Sequence, residues 1–315
     1  MKIAINISAL GDDLDLSLFN DLGECTFFGD VSREELTGIC ADVDALIVNK
    51  LEVDRKLLEA CPKIKYVGTF ATGYNVVDIA ACNDLGVTVC NAPDYSTHAV
   101  SQHTIALLLS LYGKINEYSA SVNAGDWIRS KTFSYFPYPT KEIYGKKFGV
   151  FGYGNIGKAV AKIAEAFGAE VIISTRTKPE NLPYKYVSFE DLLKTCDIIS
   201  LHCPLNESTA RIIDEKAIKL MKKSAVLINT ARGGLIDEMA LSKALENGDL
   251  AGAGLDTVAV EPMSADNPLF KAKNCIITPH VAWTAHETRA RLIGIVAGNL
   301  KAYIEGNPQN VVSRK

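Results

Sequence analysis

Three short segments carry side chains able to do chemistry, and each follows an apolar run. Asn229-Thr230-Ala231-Arg232-Gly233-Gly234 presents a guanidinium, Asp256-Thr257-Val258-Ala259-Val260-Glu261-Pro262 two carboxylates, and Thr278-Pro279-His280-Val281-Ala282-Trp283 an imidazole. An imidazole can exchange a proton near neutral pH, a neighbouring carboxylate favours the charged ring, and an arginine stays protonated throughout. Singly, each has a plain structural explanation: Arg232 as a turn charge, Glu261 as the start of an exposed loop, His280 as a packing residue. Together, in this order, they sit at or just beyond the C-terminal ends of expected strands, where open α/β sheets bind ligands.

Ahead of them lies Gly152-Tyr153-Gly154-Asn155-Ile156-Gly157, between an expected strand at 148–151 and an expected helix at 158–167. In that context the first glycine permits a tight turn, the second lets backbone approach a pyrophosphate, and the third lets helix and strand pack closely. The helix start adds N–H groups and the positive end of a dipole. The segment therefore reads as a dinucleotide site built on Gly152, Gly154, Asn155, Ile156 and Gly157. An NAD site usually places an acid on the ribose about 20 residues further on. Here Thr175 stands where that acid is expected, and Arg176, Thr177 and Lys178 follow. Hydroxyls and a planar cation suit a 2′-phosphate, so NADP is favoured over NAD. The alternative is that Arg176 is a solvated loop charge and the hydroxyls hold NAD.

The elements that must position these groups follow a β/α rhythm. In the first ninety residues, apolar runs at 3–7, 45–48, 65–69 and 87–90 are separated by polar stretches such as 33–41 and 55–60. That is the pattern of a parallel sheet. A long helical stretch from 97 to about 124 follows, with Val100, Ile105, Leu108, Leu109 and Leu111 as its apolar residues. From Phe148 a second series offers strands at 148–151, 170–174, 198–202, 225–229, 252–255 and 276–278, enough for a doubly wound sheet. Residues 123–144 form an aromatic-rich loop carrying Trp127, Phe133, Tyr135, Phe136 and Tyr138. The stretch 286–306 reads as one amphipathic helix after a sheet already complete, and so is expected to return to the first domain.

Composition narrows the classes. The 315 residues exceed one typical domain, and 48% hydrophobic with 22% charged residues is ordinary for a globular chain. The formal charge of −4, without a Lys/Arg run, argues against nucleic acid. Apolar stretches such as 105–111 fall far short of the ~20 residues of a membrane span, and no signal pattern opens the chain. A cytoplasmic protein is expected. The 8 cysteines lack any C-x-x-C pair and read as buried, reduced thiols. No His/Asp/Glu grouping has metal-ligand spacing, so no metal is expected.

With these motifs in place, the sequence resembles the D-isomer-specific 2-hydroxyacid dehydrogenase family over essentially its entire length. Residues 279–283 and the aromatic loop at 127–139 are most similar to the glycerate dehydrogenase or hydroxypyruvate reductase branch. The resemblance implies an α/β fold of two Rossmann-like, doubly wound parallel-sheet domains with a cleft between them, in a homodimer. It assigns residues 1–97 and 286–315 to a substrate-binding domain and 98–285 to a dinucleotide-binding domain. It also implies NAD(P)-dependent interconversion of a small 2-keto acid, hydroxypyruvate or glyoxylate first, and its D-2-hydroxy acid.

Carried over by residue, Arg232, Glu261 and His280 are the catalytic set. His280 is the general acid in reduction and the base in oxidation, Glu261 its partner, and Arg232 the holder of the substrate carboxylate and carbonyl. Thr72 and Gly73, in Ala71-Thr72-Gly73-Tyr74-Asn75, are expected to bind the substrate carboxylate through backbone N–H groups. Asp256 is implied at the nicotinamide carboxamide and Thr97 near the nicotinamide. Cys203 and Pro204 are implied on the adenine side, and Thr230 and Ala231 beside the cofactor. His202 is expected to be a backbone-positioned bystander, while His98, His103 and His286 receive no role. Ser101-Gln102 stands where much of the family has Ala-Glu, a departure that leaves the reaction class untouched. Two other readings remain: a dinucleotide-sensing, corepressor-like binding protein, and a dehydrogenase for another 2-hydroxy acid such as D-lactate.

Overall fold

Parallel strands buried on both faces need helical crossovers, and the chain supplies them twice. The computed structural model describes residues 1–313 and separates into two compact units. One comprises Met1–Ser96 together with the chain from Thr284 onward; the other is Thr97–Trp283.

In the first unit, β1 (Lys2–Asn6), β2 (Glu24–Phe28), α1 (Arg33–Cys40), β3 (Ala45–Val48), α2 (Arg55–Ala60), β4 (Tyr66–Thr69), α3 (Ile79–Leu85) and β5 (Thr88–Cys90) follow one another. The five strands are all parallel, in the order β2-β1-β3-β4-β5. The starts of these three helices are written in the sequence. Ser32 and Glu35 form a reciprocal capping box at α1, while Asp54 and Asp78 accept the N–H groups of Leu57 and Ala81 at α2 and α3. Gly86, at φ 68°, ends α3 in the left-handed conformation.

The second unit begins with α4 (Thr97–Gly113) and α5 (Ile115–Asn123). The single helix expected over 97–124 is thus two, broken at Lys114, which adopts φ 52°. Then come β6 (Lys147–Phe151), α6 (Asn155–Ala166), β7 (Glu170–Ser174), β8 (Lys185–Tyr186), α7 (Phe189–Thr195), β9 (Ile198–Leu201), α8 (Glu215–Leu220), β10 (Val226–Asn229), α9 (Glu238–Asn247), β11 (Gly252–Leu255) and β12 (Cys275–Ile277). Their seven-stranded sheet runs β12-β11-β10-β9-β6-β7-β8, so the winding direction reverses between β6 and β9. One face packs Leu192, Ile199 and Leu227 among others, and the opposite face packs Leu108, Val160 and Ile228. No helix or strand forms between Asn123 and Lys147.

The last helix, α10 (His286–Ile304), belongs to the first unit, where its Tyr303 ring lies 4.9 Å from that of Tyr66 in β4. Asn299 of α10 donates to Asn91 O at 2.8 Å, and Arg289 holds Asp13 through its two terminal guanidinium nitrogens. Among the described residues no helix is long and apolar enough to cross a membrane, and all 8 cysteines are free thiols, six of them buried.

Candidate active site

The chain leaves β6 at the sheet's switch point, and three glycines there have separate backbone reasons. Gly152 adopts φ +98°, and a Cβ on it would sit 2.6 Å from both Cys203 N and His202 O in the loop after β9. A Cβ on Gly157 would lie 2.1 Å from Gly152 O, so only glycine lets α6 begin this close to the turn. Gly154 differs: its backbone is extended (φ −77°, ψ −168°) and a Cβ would meet nothing within 4 Å. It is the N-cap of α6, and no side chain caps that helix. An open face over an uncapped helix start fits a pyrophosphate, whose oxygens would take the N–H groups that a Ser or Asp takes elsewhere in this chain.

At the end of β7, Thr175 is half-buried and Arg176 is exposed; among the described residues Arg176 forms no ion pair or hydrogen bond. Tyr186 on the edge strand β8 donates its hydroxyl to Thr175 O at 3.1 Å, and Lys178 lies 5.7 Å from the Tyr186 ring centre. A free guanidinium and an anchored backbone thus flank the position where an acid would have repelled a phosphate.

Three adjacent strands deliver the remaining groups. After β10, Asn229 folds the chain back on itself, accepting from Ala231 N at 3.0 Å and donating to Arg232 O at 2.9 Å. Thr230 is buried, with its hydroxyl 2.8 Å from that of Thr104 in α4. The Arg232 side chain is exposed and among the described residues bonds only Ala231 O, at 2.7 Å, leaving most of its donor fork available. A Cβ on Gly233 would fall 2.0 Å from Val258 C, so two backbones touch between this turn and the loop after β11. Glu238 secures that loop too, accepting from Ala259 N at 2.7 Å and Asn267 Nδ2 at 3.0 Å.

Within the same loop, Glu261 faces His280: Nδ1 of the ring and Oε2 of the carboxylate are 2.7 Å apart, and both side chains keep partial solvent access. His280 has φ 55°, a left-handed conformation that needs its surroundings to hold it. Its N–H donates to Asp256 O at 2.8 Å and Thr278 O at 2.9 Å. The Asp256 side chain does the rest. Only 1% exposed, it accepts from Thr278 Oγ1 at 2.6 Å and from the N–H groups of Val281 and Ala282, each at 2.9 Å. Burial alone would raise its pKa, but bonds from His103, Thr278, Ala282 and Val281 outweigh burial and hold the carboxyl below its usual range. Thr257, the next residue, is buried with a hydroxyl that has no partner among the described residues.

In the first unit, Asn91 Nδ2 donates to Thr72 O at 2.7 Å and Thr72 Oγ1 to Ala92 O at 2.8 Å, fixing the loop after β4. The backbone N–H groups of Thr72 and Gly73 form no bond among the described residues. Thr97, half-buried, is the first residue of α4. Beyond β9, Cys203 is buried and its thiol is pushed up to about 11 by burial, while Pro204 is exposed. His202 is bonded to Ser200 Oγ at 2.7 Å, and burial pushes its imidazole down to about 3, so it is neutral in the folded protein at physiological pH.

Residues 105–282 match the family described as D-isomer specific 2-hydroxyacid dehydrogenase, NAD binding domain. The chain belongs to that family. A hydroxypyruvate reductase from Blautia hydrogenotrophica is 41% identical over 308 residues, covering 96% of each chain. A glycerate dehydrogenase from Methylorubrum extorquens is 41% identical over 281 residues, with 89% and 88% covered. Among solved structures, an acyclic imino acid reductase in complex with NADPH and D-Arg superposes with a TM-score of 0.88 at 34% identity, over 99% of this chain and all of that one. As a D-2-hydroxyacid dehydrogenase, the protein is an NAD(P)-dependent oxidoreductase.

Within this dehydrogenase the second unit brings together Glu261, His280 and Asp256, and places Thr230, Ala231 and Arg232 on the neighbouring strand end. Sequence reasoning passed over His103, whose Nε2 lies 2.8 Å from Thr278 Oγ1 and 3.4 Å from Asp256 Oδ1. It also passed over Thr104, Asn229 and Glu238 as holders of the site's loops. One signal was there: His103 and Thr104 fall three and four residues after Val100, on the stripe that buries Leu107, Leu108 and Leu111. Polar residues on an otherwise apolar stripe ask for partners.

Proposed function

We propose that this dehydrogenase reduces hydroxypyruvate to D-glycerate, with glyoxylate as a second acceptor, and that it uses NADPH. The observation that carries the reading is the His280–Glu261 pair, held by the Asp256 clamp beside the strand end that presents Arg232. The names of the two curated relatives above support the acceptor, and free Arg176 in place of an acid supports the phosphorylated cofactor.

A bound nicotinamide dinucleotide supplies the hydride; the cradle of Gly152, Gly154, Asn155, Ile156 and Gly157 fits its pyrophosphate, and Thr175 with Arg176 would take the ribose phosphate. Every other step falls to protein groups. Glu261 accepts from Nδ1 of His280 and stabilises the imidazolium, so that Nε2 is the atom that gives a proton to the carbonyl oxygen. In the oxidative direction the same nitrogen takes the proton back. Arg232, planar and always charged, grips the substrate carboxylate and polarises the carbonyl. In the first unit, the unbonded N–H groups of Thr72 and Gly73 are the proposed second carboxylate contact. Thr97, Cys203, Pro204, Thr230, Ala231 and Asp256 are the proposed further cofactor contacts. Ile128, Phe133 and Phe136, 87%, 92% and 86% exposed, support a homodimer that covers this loop.

The test is initial rates of NADPH and NADH oxidation at matched concentrations with hydroxypyruvate, glyoxylate and pyruvate. Rapid NADPH-linked turnover of hydroxypyruvate is expected. A preference for pyruvate would reassign the substrate, and a preference for NADH would remove the role given to Arg176.

A further inference from the structure

The arrangement beneath His280 has a direction that can be worked out proton by proton. Asp256 is ionised and can only accept. Thr278 has one hydroxyl proton and three candidate acceptors, Asp256 Oδ1 at 2.6 Å, His103 Nε2 at 2.8 Å and Leu255 O at 3.5 Å; the carboxylate is both the nearest and the only charged one, so the proton lies toward it. The oxygen of Thr278 is then left to accept. His103 Nε2, 2.8 Å away, is the atom that donates to it, with Asp256 Oδ1 at 3.4 Å as a longer second acceptor of the same proton. His103 therefore carries its proton on Nε2, and the chain of donation runs from α4 through Thr278 into Asp256.

That chain ends on the catalytic loop. The same Asp256 oxygen that takes the Thr278 proton also takes the N–H of Val281, the other oxygen takes the N–H of Ala282, and the main-chain carbonyl takes the N–H of His280. Thr278 and Val281 lie on either side of the left-handed His280. Without His103, the Thr278 hydroxyl loses the donor that fixes its rotamer and can turn away from Asp256, which slackens one of the anchors of the segment.

The geometry points to His103 as a positioning residue: by donating Nε2–H to Thr278 it locks the Asp256 clamp that sets His280 against Glu261. The effect on turnover rests on the function proposed above, whereas the tautomer and the effect on His280 do not.

Two substitutions separate this role from packing. His103→Leu removes the donor but fills the space; His103→Gln places an amide N–H at about the reach of Nε2. The expected result for His103→Leu is a kcat lowered about tenfold, the equivalent of ~1.4 kcal/mol, with the dissociation constant of NADPH and the KM of hydroxypyruvate within about twofold of the parent. His103→Gln should recover most of the loss, and adding His103→Leu to Thr278→Val should lower kcat no further than Thr278→Val alone. Equal losses in the Leu and Gln variants, unchanged kcat in both, or full additivity in the double variant would overturn the role.

Long-range proton–nitrogen NMR of the imidazoles in the substrate-free parent needs neither turnover nor a variant. It should show His103 as the Nε2–H tautomer, and in His103→Leu it should show displaced ring signals for His280. An Nδ1–H tautomer, or His280 signals indifferent to His103→Leu, refutes the inference. If the parent turns over none of the three acceptors while the NMR result holds, the substrate assignment fails and the positioning role stands.

Discussion

Gly154 and Gly157 belong to one motif but fail for opposite reasons when a methyl group is added. At Gly157 a Cβ would be 2.1 Å from Gly152 O, whereas carbon and oxygen need roughly 3.2 Å, so backbone must open by about 1 Å. Overpacking of that kind costs about 1–3 kcal/mol, or a fall in Tm of about 2–12 °C for a unit the size of Thr97–Trp283. At Gly154 the methyl meets nothing within 4 Å, and φ −77° suits alanine. The stabilisation of ~0.4–1 kcal/mol from a stiffer unfolded chain is offset by the poorer N-cap that alanine makes. Gly154→Ala should therefore keep Tm within about 3 °C of the parent. The methyl would nonetheless stand where the pyrophosphate is proposed to lie. Losing one charge-assisted bond, worth ~1.5–3 kcal/mol, weakens binding by about 10–150-fold. Thermal unfolding of the cofactor-free protein, paired with fluorescence titration by NADPH, reads both quantities. Gly157→Ala should lose stability and affinity together, and Gly154→Ala affinity alone. If Gly154→Ala melts and binds NADPH like the parent, no pyrophosphate rests on this turn and the cradle has been misassigned.

Other substitutions test the remaining groups. His280→Ala should lower kcat by roughly 10²–10⁴-fold, the usual worth of general acid catalysis, with NADPH affinity retained; undiminished turnover removes His280 from the proton's path. Arg232→Lys keeps the charge but loses the planar fork, so KM for hydroxypyruvate should rise, and parental kinetics would argue against a carboxylate grip. Arg176→Ala should weaken NADPH more than NADH, measured as the ratio of the two kcat/KM values; an unchanged ratio returns Arg176 to an idle surface charge. His202 makes a prediction about pH. Its folded pKa of about 3 lies below the ordinary 6.5, so between those values the unfolded chain binds a proton that the folded chain does not, and stability falls as pH falls. Replacing His202 by Met should flatten the denaturation midpoint against pH between about 3 and 6.5 in the cofactor-free protein, and an unaltered slope would show that the ring is not kept neutral.

Some of this was legible in the sequence because the constraint is on the backbone. Gly152 and Gly157 cannot bear a Cβ and are therefore written as glycine, which is why the turn at 152–157 was readable before any fold existed. Buried central strands were legible for a similar reason: β3, β4, β9, β10 and β11 are buried along their whole length and carry at most one hydroxyl- or amide-bearing aliphatic side chain each besides apolar residues, because both faces are covered. Edge strands carry no such mark. In β2 only Phe28 is buried, and β8 is two exposed residues, so neither has a hydrophobic pattern to read. The break between α4 and α5 was equally hidden, since Lys114 at φ 52° is a residue whose propensity favours continuing a helix.

Side-chain partnerships are the hardest to foresee, and α4 shows why. Periodicity locates its buried stripe, but Thr104 and His103 acquire meaning only when the fold brings Thr230, 126 residues away, and Thr278, 175 residues away, to meet them. Those two contacts reach the ends of β10 and β12, with the Asp256 that follows β11 between them. One helix therefore braces both flanks of the loop set that carries Arg232, Glu261 and His280. In a parallel sheet the strand ends converge by geometry alone, but the loops beyond them are irregular and need partners outside the sheet. That requirement predicts that destabilising α4 at its polar positions should disturb turnover more than an equal loss of stability at its apolar ones. Thr104→Val and Leu108→Ala, compared at matched Tm by kcat with hydroxypyruvate, decide the point. If kcat falls no further in Thr104→Val than in Leu108→Ala, α4 is packing and nothing more.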